Sequence, residues 1–444
     1  MTSAAQPAAG QPGDRRSCST ALLTDQYELT MLDSALRDGT GHRRCAFEVF
    51  TRRLPEGRRY GVAGGVQRVL DAVAEFRFGE DELRALSGTL DDATLDWLRE
   101  YRFTGHIDGY PEGELFFPGS PLLTVRATFA EAVVLETLVL SILNHDSAIA
   151  GAASRMVSAG NGRRLIEMGS RRTHEKAAVA AARVAYLAGF AATSNLEAGR
   201  RYGIPTAGTA AHAFTLLHDD ERDAFRAQID ALGTGTTLLV DTYDITRGIE
   251  RAIEVGGTGL GAVRIDSGDV GVLARQAREQ LDSLGATGTK IVVSGDLDEH
   301  AIAALRAEPV DGYGVGTSLV TGSGAPTAEL VYKLVEVEGR PVAKRSSRKE
   351  SRGGRKSAVR RHKETGTAVE EEVFGIRAGS AEPVLGPHDR FMQIPLVRDG
   401  AQVDGLPGLE DSRQRLRHAL VTLPWEGLKL SRGEPAIPTS FAQS

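Results

Sequence analysis

The chain has few of the residues that mark secreted, metal-binding or membrane proteins. It contains 2 cysteines, Cys18 and Cys45, in 444 residues, which is too few for a disulfide framework or a zinc quartet. The sequence suggests no apolar run of membrane-spanning length, and residues 1–17 lack the apolar segment of a signal peptide. We therefore expect a protein of the reducing cytoplasm with no membrane partner.

A strong excess of either charge is also missing. Lysine and arginine number 53 against 59 acidic residues, so the formal net charge is −6. This balance argues against a protein built to bind nucleic acid. Hydrophobic residues make up 41% of the chain, which is ordinary for a globular protein. The length allows two or three domains with a large core.

What the sequence does contain is a regular alternation of short apolar strands and helices between residues 165 and 318. This alternation predicts a parallel α/β architecture. Polar residues or glycines end every strand, which is typical of an α/β barrel with its active site on that face. An open doubly wound sheet would show the same pattern. The seven predicted strands lie in LIEMGSRR, GFAATSN, IPTAGTAAH, TTLLVDTYD, GAVRIDSGD, KIVVSGD and GYGVGTS.

The rest of the chain has a different character. LVYKLVEVEGRPVAKR predicts a β-hairpin that turns at Glu338 and Gly339. The basic run after it is either a solvated surface loop or an electropositive flap near an anionic substrate. About 20 residues at the C-terminus are expected to be poorly ordered. The predicted domains are a disordered tail (1–18), an N-terminal mixed α/β domain (19–133), the barrel with the active site (134–325) and a β-rich C-terminal segment (326–444) with its basic loop (344–363).

The predicted strand ends carry side chains suited to anions and sugars. Arginines bind carboxylate or phosphate with two hydrogen bonds, late barrel loops bind phosphate, and paired aspartates hold ribose hydroxyls or a hydrated Mg²⁺. A Walker loop, a dinucleotide fingerprint and a Ser-His-Asp order are missing. The set predicts a sugar phosphate with Mg²⁺ and a small anion. Its members are Arg171, Arg172, Ser194, Asn195, Thr209, His212, Asp241, Asp244, Arg264, Asp266, Ser267, Asp269, Ser294, Gly295, Asp296, Gly314, Gly316 and Thr317.

Each of these residues also has a purely structural interpretation. His212, in GIPTAGTAAHAF, could be a histidine at a turn that closes a strand. Arg264 could pair with Asp266 or Asp269 merely to join barrel layers, and Gly316 could be a turn residue. The combination is more specific than any one member.

Nine stretches, in order between residues 22 and 360, resemble the nicotinate phosphoribosyltransferase family. The resemblance implies an irregular, incomplete α/β barrel for the seven strands, with an additional mixed α/β domain built from the N- and C-terminal parts. It implies synthesis of nicotinate mononucleotide and pyrophosphate from nicotinate and phosphoribosyl pyrophosphate, with Mg²⁺ and coupled to ATP hydrolysis. The stretches are TDQYELTM, FEVFTRRLP, GSRRTHEKA, TSNLEAGRRYGIPTAGTAAHAF, VDTYDITRG, VRIDSGD, VVSGDLDE, GYGVGTSLVT and VYKLVEVEGRPVAKRS.

The resemblance also implies roles for residues that match the family's motifs. His212 is the residue that ATP phosphorylates, Thr209 contacts nicotinate, and Arg264 holds the nicotinate carboxylate. Arg171 lies in the matching arginine pair. Tyr27 stacks on the pyridine ring from the neighbouring subunit of a homodimer with shared active sites. The other implied ligands are Asp266 and Asp269, facing ribose and Mg²⁺, Ser267 beside them, and Gly295, Gly316 and Thr317, which bind the 5′-phosphate.

Two alternatives stay open from the sequence. One is a nicotinamide or quinolinate phosphoribosyltransferase, which an assay with the three bases separates. The other is a barrel kept as a non-catalytic binding scaffold, which the absence of pyrophosphate release with every base would support.

Overall fold

The computed structural model describes residues 19–344, 352–376 and 383–442. The tail predicted to be disordered, residues 1–18, lies outside these ranges. The helices are α1 (Gln26–Arg37), α2 (Val66–Ala74), α3 (Glu80–Leu86), α4 (Asp92–Arg99), α5 (Phe129–Val133), α6 (Glu136–Gly160), α7 (Glu175–Ala188), α8 (Leu196–Tyr202), α9 (His212–Leu216), α10 (Glu221–Leu232), α11 (Ile245–Gly256), α12 (Val270–Ser283), α13 (Glu299–Ala304), α14 (Thr317–Val320) and α15 (Leu409–Thr422).

The strands fall into a parallel group in the middle of the chain and antiparallel groups on either side. They are β1 (Arg44–Thr51), β2 (Gly61–Val62), β3 (His106–Gly109), β4 (Leu115–Phe116), β5 (Leu123–Thr128), β6 (Arg164–Glu167), β7 (Ala192–Thr193), β8 (Thr237–Leu239), β9 (Ala262–Ile265), β10 (Lys290–Val293), β11 (Gly312–Val315), β12 (Leu330–Val337), β13 (Arg340–Pro341), β14 (Lys356–His362), β15 (Ala368–Gly375), β16 (Arg390–Phe391), β17 (Ile394–Arg398), β18 (Ala401–Gln402) and β19 (Thr439–Phe441).

Six strands form one curled parallel sheet, in the order β7-β6-β11-β10-β9-β8. Every ladder within it is parallel. Helices lie between the successive strands, as such a sheet requires. The sheet is therefore an open half-barrel, which confirms the predicted α/β fold class with an incomplete barrel.

The segment IPTAG, predicted as one of the barrel strands, contributes a single bridge between Thr206 and Thr193. Pro205 has no N–H to donate to a ladder, although its carbonyl accepts from the Thr193 N–H at 3.0 Å. Within the ranges described above, no ladder joins this segment to β8. The barrel stays open on this side, and the chain that carries His212 forms part of its rim.

Alternation of side chains along the parallel strands explains why polar groups gather at one place. In β9, Val263 and Ile265 are fully buried against the surrounding helices. Arg264, between them, lies on the opposite, concave face. The polar residues that follow β8, β9 and β10 sit at the carboxyl edge of the same sheet.

The second large sheet combines strands from both ends of the chain, in the order β13-β12-β1-β5-β3-β17-β18. β1 pairs antiparallel with β12 on one side and with β5 on the other. The hairpin predicted at Glu338 and Gly339 is confirmed, since β12 pairs with β13 across these residues. Their φ angles are 50° and 73°, as expected for a two-residue turn with both central residues left-handed.

One helical stretch, Phe129–Gly160, joins the two parts of the molecule. Contrary to the expectation from sequence, it is long and apolar enough to cross a membrane, and 67% of its most apolar window is buried inside the protein. Leu138 and Val139 pack in the core under the antiparallel sheet, whereas Ala153 and Met156 pack in the barrel core. We therefore interpret the stretch as a core helix shared by both parts.

The basic run predicted as a loop over 344–363 is in part a strand. Residues 345–351 lie outside the described ranges, but residues 356–362 form β14, which pairs with β15. The loop prediction is therefore wrong for that section. The physical reason is charge pairing, because Lys356 Nζ lies 2.7 Å from Glu48 and Arg360 contacts Glu114 and Glu371.

The C-terminal residues also have a defined place. β19 pairs in parallel with β15, and the guanidinium of Arg352 lies 3.9 Å above the ring of Phe441. The expectation of a poorly ordered end is therefore wrong up to residue 442. A short tail can pair because β15 offers its backbone groups as a sheet edge.

Candidate active site

The carboxyl ends of β8, β9 and β10 bring predicted ligands together, among them two for which the family resemblance implies no individual role, Asp241 and Ser294. Asp241 follows β8, Asp266 and Ser267 follow β9, and Ser294 follows β10. We call this set the rim cluster. It consists of His212, Asp241, Arg264, Asp266, Ser267, Ser294 and Gly295.

A buried carboxylate organises one side of the rim cluster. Asp241 Oδ2 accepts hydrogen bonds from the Asp266 N–H and the Ser267 hydroxyl, both at 2.8 Å. Its Oδ1 is buried, has no hydrogen-bond partner among the described residues, and lies 4.0 Å from His212 Nε2. His212 Nδ1 lies 3.1 Å from the Thr242 hydroxyl. A fixed carboxylate oxygen thus faces a histidine side chain that is 41% exposed.

Arg264 and Asp266 form the other side. Arg264 Nε donates to the Ser294 hydroxyl and Nη2 donates to Asp266 Oδ1, each at 2.7 Å. Burial works to raise the pKa of Asp266, but hydrogen bonds from Ser294 and Arg264 outweigh it and hold that pKa below its usual value. Asp266 is therefore an anion at neutral pH. In the described part of the chain Arg264 Nη1 has no hydrogen-bond partner, so the guanidinium keeps a free edge.

Glycines let the backbone close in around these side chains. Gly295 has φ +120°, and a Cβ there would lie 2.9 Å from the Asp266 carbonyl oxygen. At Gly314 a Cβ would lie 2.7 Å from the Met168 sulfur and 3.0 Å from Ser294 Cβ. The predicted ligands Gly316 and Thr317 follow two and three residues later, directly after β11. Of the 5′-phosphate residues named from sequence, Gly295 therefore follows the strand next to that of Arg264, and Gly316 and Thr317 follow the strand beyond it.

Three predicted ligands lie around the rim cluster without a direct contact to it. Thr209 is exposed in the chain between Thr206 and α9, and Arg171 is exposed in the turn after β6. Asp269 Oδ1 accepts from the Val272 N–H at 3.2 Å and caps α12. The immediate role of Asp269 in the structure is therefore that of a helix cap.

Tyr27 belongs to the other part of the molecule. It lies in α1 with its side chain 46% exposed, and its hydroxyl is beside Glu136 at the start of α6. Partial burial and the negative charge of Glu136 raise the pKa of Tyr27 to about 12. No described hydrogen bond or ring contact joins it to the rim cluster of its own chain.

Comparison with protein-family models decides the family. The nicotinate phosphoribosyltransferase N-terminal domain matches residues 22–144, and the nicotinate phosphoribosyltransferase family matches residues 163–369. The chain belongs to the nicotinate phosphoribosyltransferase family.

Individual relatives agree with this placement. Nicotinate phosphoribosyltransferase pncB1 of Mycobacterium tuberculosis is 63% identical over 444 residues, covering 98% of each chain. The human nicotinate phosphoribosyltransferase is 31% identical over 80% of this chain and 79% of its own. The crystal structure of human nicotinic acid phosphoribosyltransferase superposes with a TM-score of 0.80 at 26% identity, over 94% of this chain and 97% of that one. A nicotinate-nucleotide pyrophosphorylase from Pyrococcus furiosus reaches a TM-score of 0.77 at 25% identity, over 92% and 97%.

In this member of the nicotinate phosphoribosyltransferase family the structure adds Thr242 to the candidate site, and it gives the predicted residues Asp241 and Ser294 specific partners. Asp241 and Ser294 were visible in the sequence as polar residues after apolar strands, but that signal gave no partner for either. Asp241 bonds to a backbone group 25 residues away, which only the sheet register brings close.

The predicted Mg²⁺ ligands do not by themselves make a metal centre in this nicotinate phosphoribosyltransferase family fold. Asp266 Oδ1 is occupied by Arg264 and Ser294, and Asp269 Oδ1 by the start of α12. Across the described ranges no three His, Cys, Asp or Glu side chains group to hold a metal ion. The carboxylates of Asp266 and Asp269 fit a hydrated Mg²⁺ whose direct ligands are mainly water and substrate phosphates.

Proposed function

We propose that the protein is an ATP-coupled nicotinate phosphoribosyltransferase of NAD salvage. It converts nicotinate and phosphoribosyl pyrophosphate into nicotinate mononucleotide and pyrophosphate, while ATP is hydrolysed to ADP and phosphate. The rim cluster carries the proposal, because it combines an anchored guanidinium, an anionic Asp266 and a histidine at one sheet edge.

The bond-forming step needs no general base, since the pyridine nitrogen of nicotinate has its own lone pair. The nitrogen attacks the ribose carbon as the bond to pyrophosphate breaks, so catalysis consists of positioning and charge stabilisation. The free edge of Arg264 binds the nicotinate carboxylate, with Arg171 and Thr209 at the mouth of the site. Asp266 stabilises the oxocarbenium-like ribose, and backbone groups at Gly295, Gly316 and Thr317 bind the 5′-phosphate. Mg²⁺ would neutralise pyrophosphate through Asp266 and Asp269, by way of water.

ATP acts through His212 in this proposal. Asp241 Oδ1 is too far from Nε2 for a hydrogen bond, but its negative charge favours the proton on Nε2. Nδ1, which faces the Thr242 hydroxyl at 3.1 Å, then has the lone pair that attacks the terminal phosphorus of ATP as the bond to ADP breaks. The support is the partnerless carboxylate oxygen that faces Nε2 at 4.0 Å. A phosphate on His212 adds about two negative charges, so it acts by shifting the loops and Mg²⁺ around the second substrate.

A homodimer with shared active sites completes the proposal. Tyr27 and Met31, four residues apart on α1, are 46% and 38% exposed and lie on one helix face. If a second copy of the chain packs on that face of α1, Tyr27 reaches the nicotinate site of that second copy. We place the enzyme in the cytoplasm, without nucleic-acid or membrane partners.

An assay of the purified protein with three bases tests the function. We expect pyrophosphate release with nicotinate, and about 100-fold lower kcat/KM with nicotinamide, because the amide leaves the Arg264 edge without a charged partner. Quinolinate, with a second carboxylate, should also react poorly. A preference for nicotinamide or quinolinate would replace the proposed substrate, and no release with any base would indicate a non-catalytic scaffold.

Labelling with radioactive ATP tests the role of His212. We expect an acid-labile phosphate on the wild-type protein and none on His212→Ala, which should also lose stimulation by ATP. His218→Ala is the matched control, because His218 lies six residues on and its Nδ1 contacts only the Phe214 carbonyl, at 2.8 Å. Full ATP stimulation in His212→Ala would remove His212 from the coupling step.

A further inference from the structure

A cluster of three buried charges lies behind the end of β11, outside the rim cluster. Arg58, Arg155 and Glu299 are 9%, 5% and 1% exposed. Arg58 Nη1 and Arg155 Nε both donate to Glu299 Oε1 at 3.0 Å. Buried charges are stable only when hydrogen bonds satisfy their remaining polar atoms. The other hydrogen-bond partners of these three side chains therefore show which segments the cluster joins.

Arg58 reaches the chain that follows the predicted phosphate ligands. We call residues 316–324 the post-β11 turn. Arg58 Nη2 donates to the carbonyls of Gly322 at 2.8 Å and Ser323 at 2.9 Å. The Ser323 hydroxyl donates to Glu299 Oε2 at 2.5 Å. Arg58 and Glu299 therefore hold the far end of the turn from two sides.

The turn holds its first residues by backbone hydrogen bonds of its own, such as Thr321 N–H to the Thr317 carbonyl at 3.1 Å, whereas the carbonyls of Gly322 and Ser323 at its far end accept from Arg58. The only helix of the turn, α14, is four residues long, and Gly322, Ser323 and Gly324 have φ angles of +71°, +48° and +82°. At Gly322 a Cβ would lie 2.3 Å from the Ala325 carbonyl oxygen. Glycines adopt left-handed angles without strain, but Ser323 persists there only when its surroundings fix it, and Arg58 and Glu299 hold it through its carbonyl and its hydroxyl.

Glu299 connects the turn to the neighbouring strand end. It is the first residue of α13, which Asp298 caps by accepting from the His300 and Ala301 N–H groups. The chain from Gly295 to Glu299 is therefore short and anchored. Movement of Glu299 would shift Gly295 and the post-β11 turn relative to each other.

We propose that Arg58, anchored by Glu299, is a positioning residue for binding of the 5′-phosphate of phosphoribosyl pyrophosphate. By fixing Gly322 and Ser323, Arg58 sets the position of the backbone at Gly316 and Thr317 relative to the backbone at Gly295. It touches no substrate itself. The inference rests on the proposed function, and it assigns a role to a residue of the N-terminal part of the chain.

Arg58→Lys and Arg155→Lys form a matched pair that tests this inference. Lysine keeps a cation beside Glu299, but all its donors lie on one nitrogen, so it cannot contact Glu299 from one nitrogen and the two carbonyls from another as the Arg58 guanidinium does. Arg155 shares Glu299 Oε1, but its other partner is the Leu430 carbonyl, at 3.2 Å, which lies outside the post-β11 turn. We expect Arg58→Lys to raise KM and Kd for phosphoribosyl pyrophosphate about tenfold with KM for nicotinate unchanged. Arg155→Lys should change neither constant, even where both variants lose similar thermal stability.

Calorimetric binding of phosphoribosyl pyrophosphate separates the possible failures. Unchanged binding in Arg58→Lys, or equal weakening in both variants, would overturn the positioning role while the proposed function stands. Wild-type protein that binds no phosphoribosyl pyrophosphate would contradict the proposed function itself. If Arg58→Lys does not fold, Ser323→Ala removes only the hydroxyl contact to Glu299, and about threefold weaker binding is expected from a lost hydrogen bond.

Discussion

Arg264→Ala is expected to lower kcat/KM for nicotinate by about a thousandfold, since a charged pair in a partly buried site contributes about 3–5 kcal/mol when one partner is removed. Two effects add under the proposed function. The nicotinate carboxylate would lose the cation proposed to bind it, and Asp266 loses the donor that lies 2.7 Å from its Oδ1. Steady-state kinetics with each substrate varied in turn should show a larger rise in KM for nicotinate than for phosphoribosyl pyrophosphate.

Arg251→Ala is the control for this variant. Arg251 also pairs with a buried acid, Glu221, at 3.0 Å, but neither residue belongs to the rim cluster. We expect lower stability and unchanged Michaelis constants. Equal rises in KM for both substrates in Arg264→Ala would instead mean that Arg264 only joins barrel layers through Asp266.

The position of the site could be predicted from sequence because it follows from strand periodicity. Apolar stretches such as TTLLV and KIVV indicate strand cores, and the residue after each one must lie at the carboxyl edge of a parallel sheet. That reasoning found Arg264, Asp266 and Gly295 without any knowledge of distances. The same reasoning predicted IPTAG as a barrel strand, which is wrong. Pro205 cannot donate to a ladder, and within the described residues this segment forms a single bridge, at Thr206.

Pairing between distant residues could not be predicted in the same way. Asp269 stands directly before a helix, where a carboxylate normally caps the first turn, and it does so here. Asp241 looked equivalent in sequence, but it bonds to the chain after β9 and faces His212. The difference between a cap and a site residue depended on sheet register, which a single sequence does not contain.

The ion-pair partners of the basic run are a second example of pairing that could not be predicted from sequence. The sequence predicts the basic run between 344 and 363 to be either a solvated surface loop or an electropositive flap, and neither prediction names acidic partners for its cations. In the fold, Arg360 lies opposite Glu371 in the register of β14 and β15 and next to Glu114 of the N-terminal part. Buried cations of this kind join distant segments, so they have large effects on stability.

Arg360→Met is accordingly expected to lower the free energy of unfolding by about 3–5 kcal/mol. The Arg360 side chain is 1% exposed, and it contacts Glu114 and Glu371, both 0% exposed. Methionine fills similar volume but leaves both carboxylates short of a cation, although Arg390 still contacts Glu114. Chemical denaturation of the wild type and the variant at neutral pH measures the difference.

Acid should reduce the difference between the two proteins. Burial works to raise the pKa of Glu114, but Arg360 and Arg390 outweigh it and keep that pKa below its usual value. The stabilisation from Glu114 is therefore complete above the ordinary carboxyl pKa and is lost as pH falls through the lowered one. Arg361→Met is the matched control, because the neighbouring Arg361 is 23% exposed and pairs with Glu372 at 2.6 Å and Asp389 at 2.8 Å. Its partial exposure lowers the expected loss to about 1 kcal/mol. Equal losses in both variants would show that the buried network contributes no more than a partly exposed one.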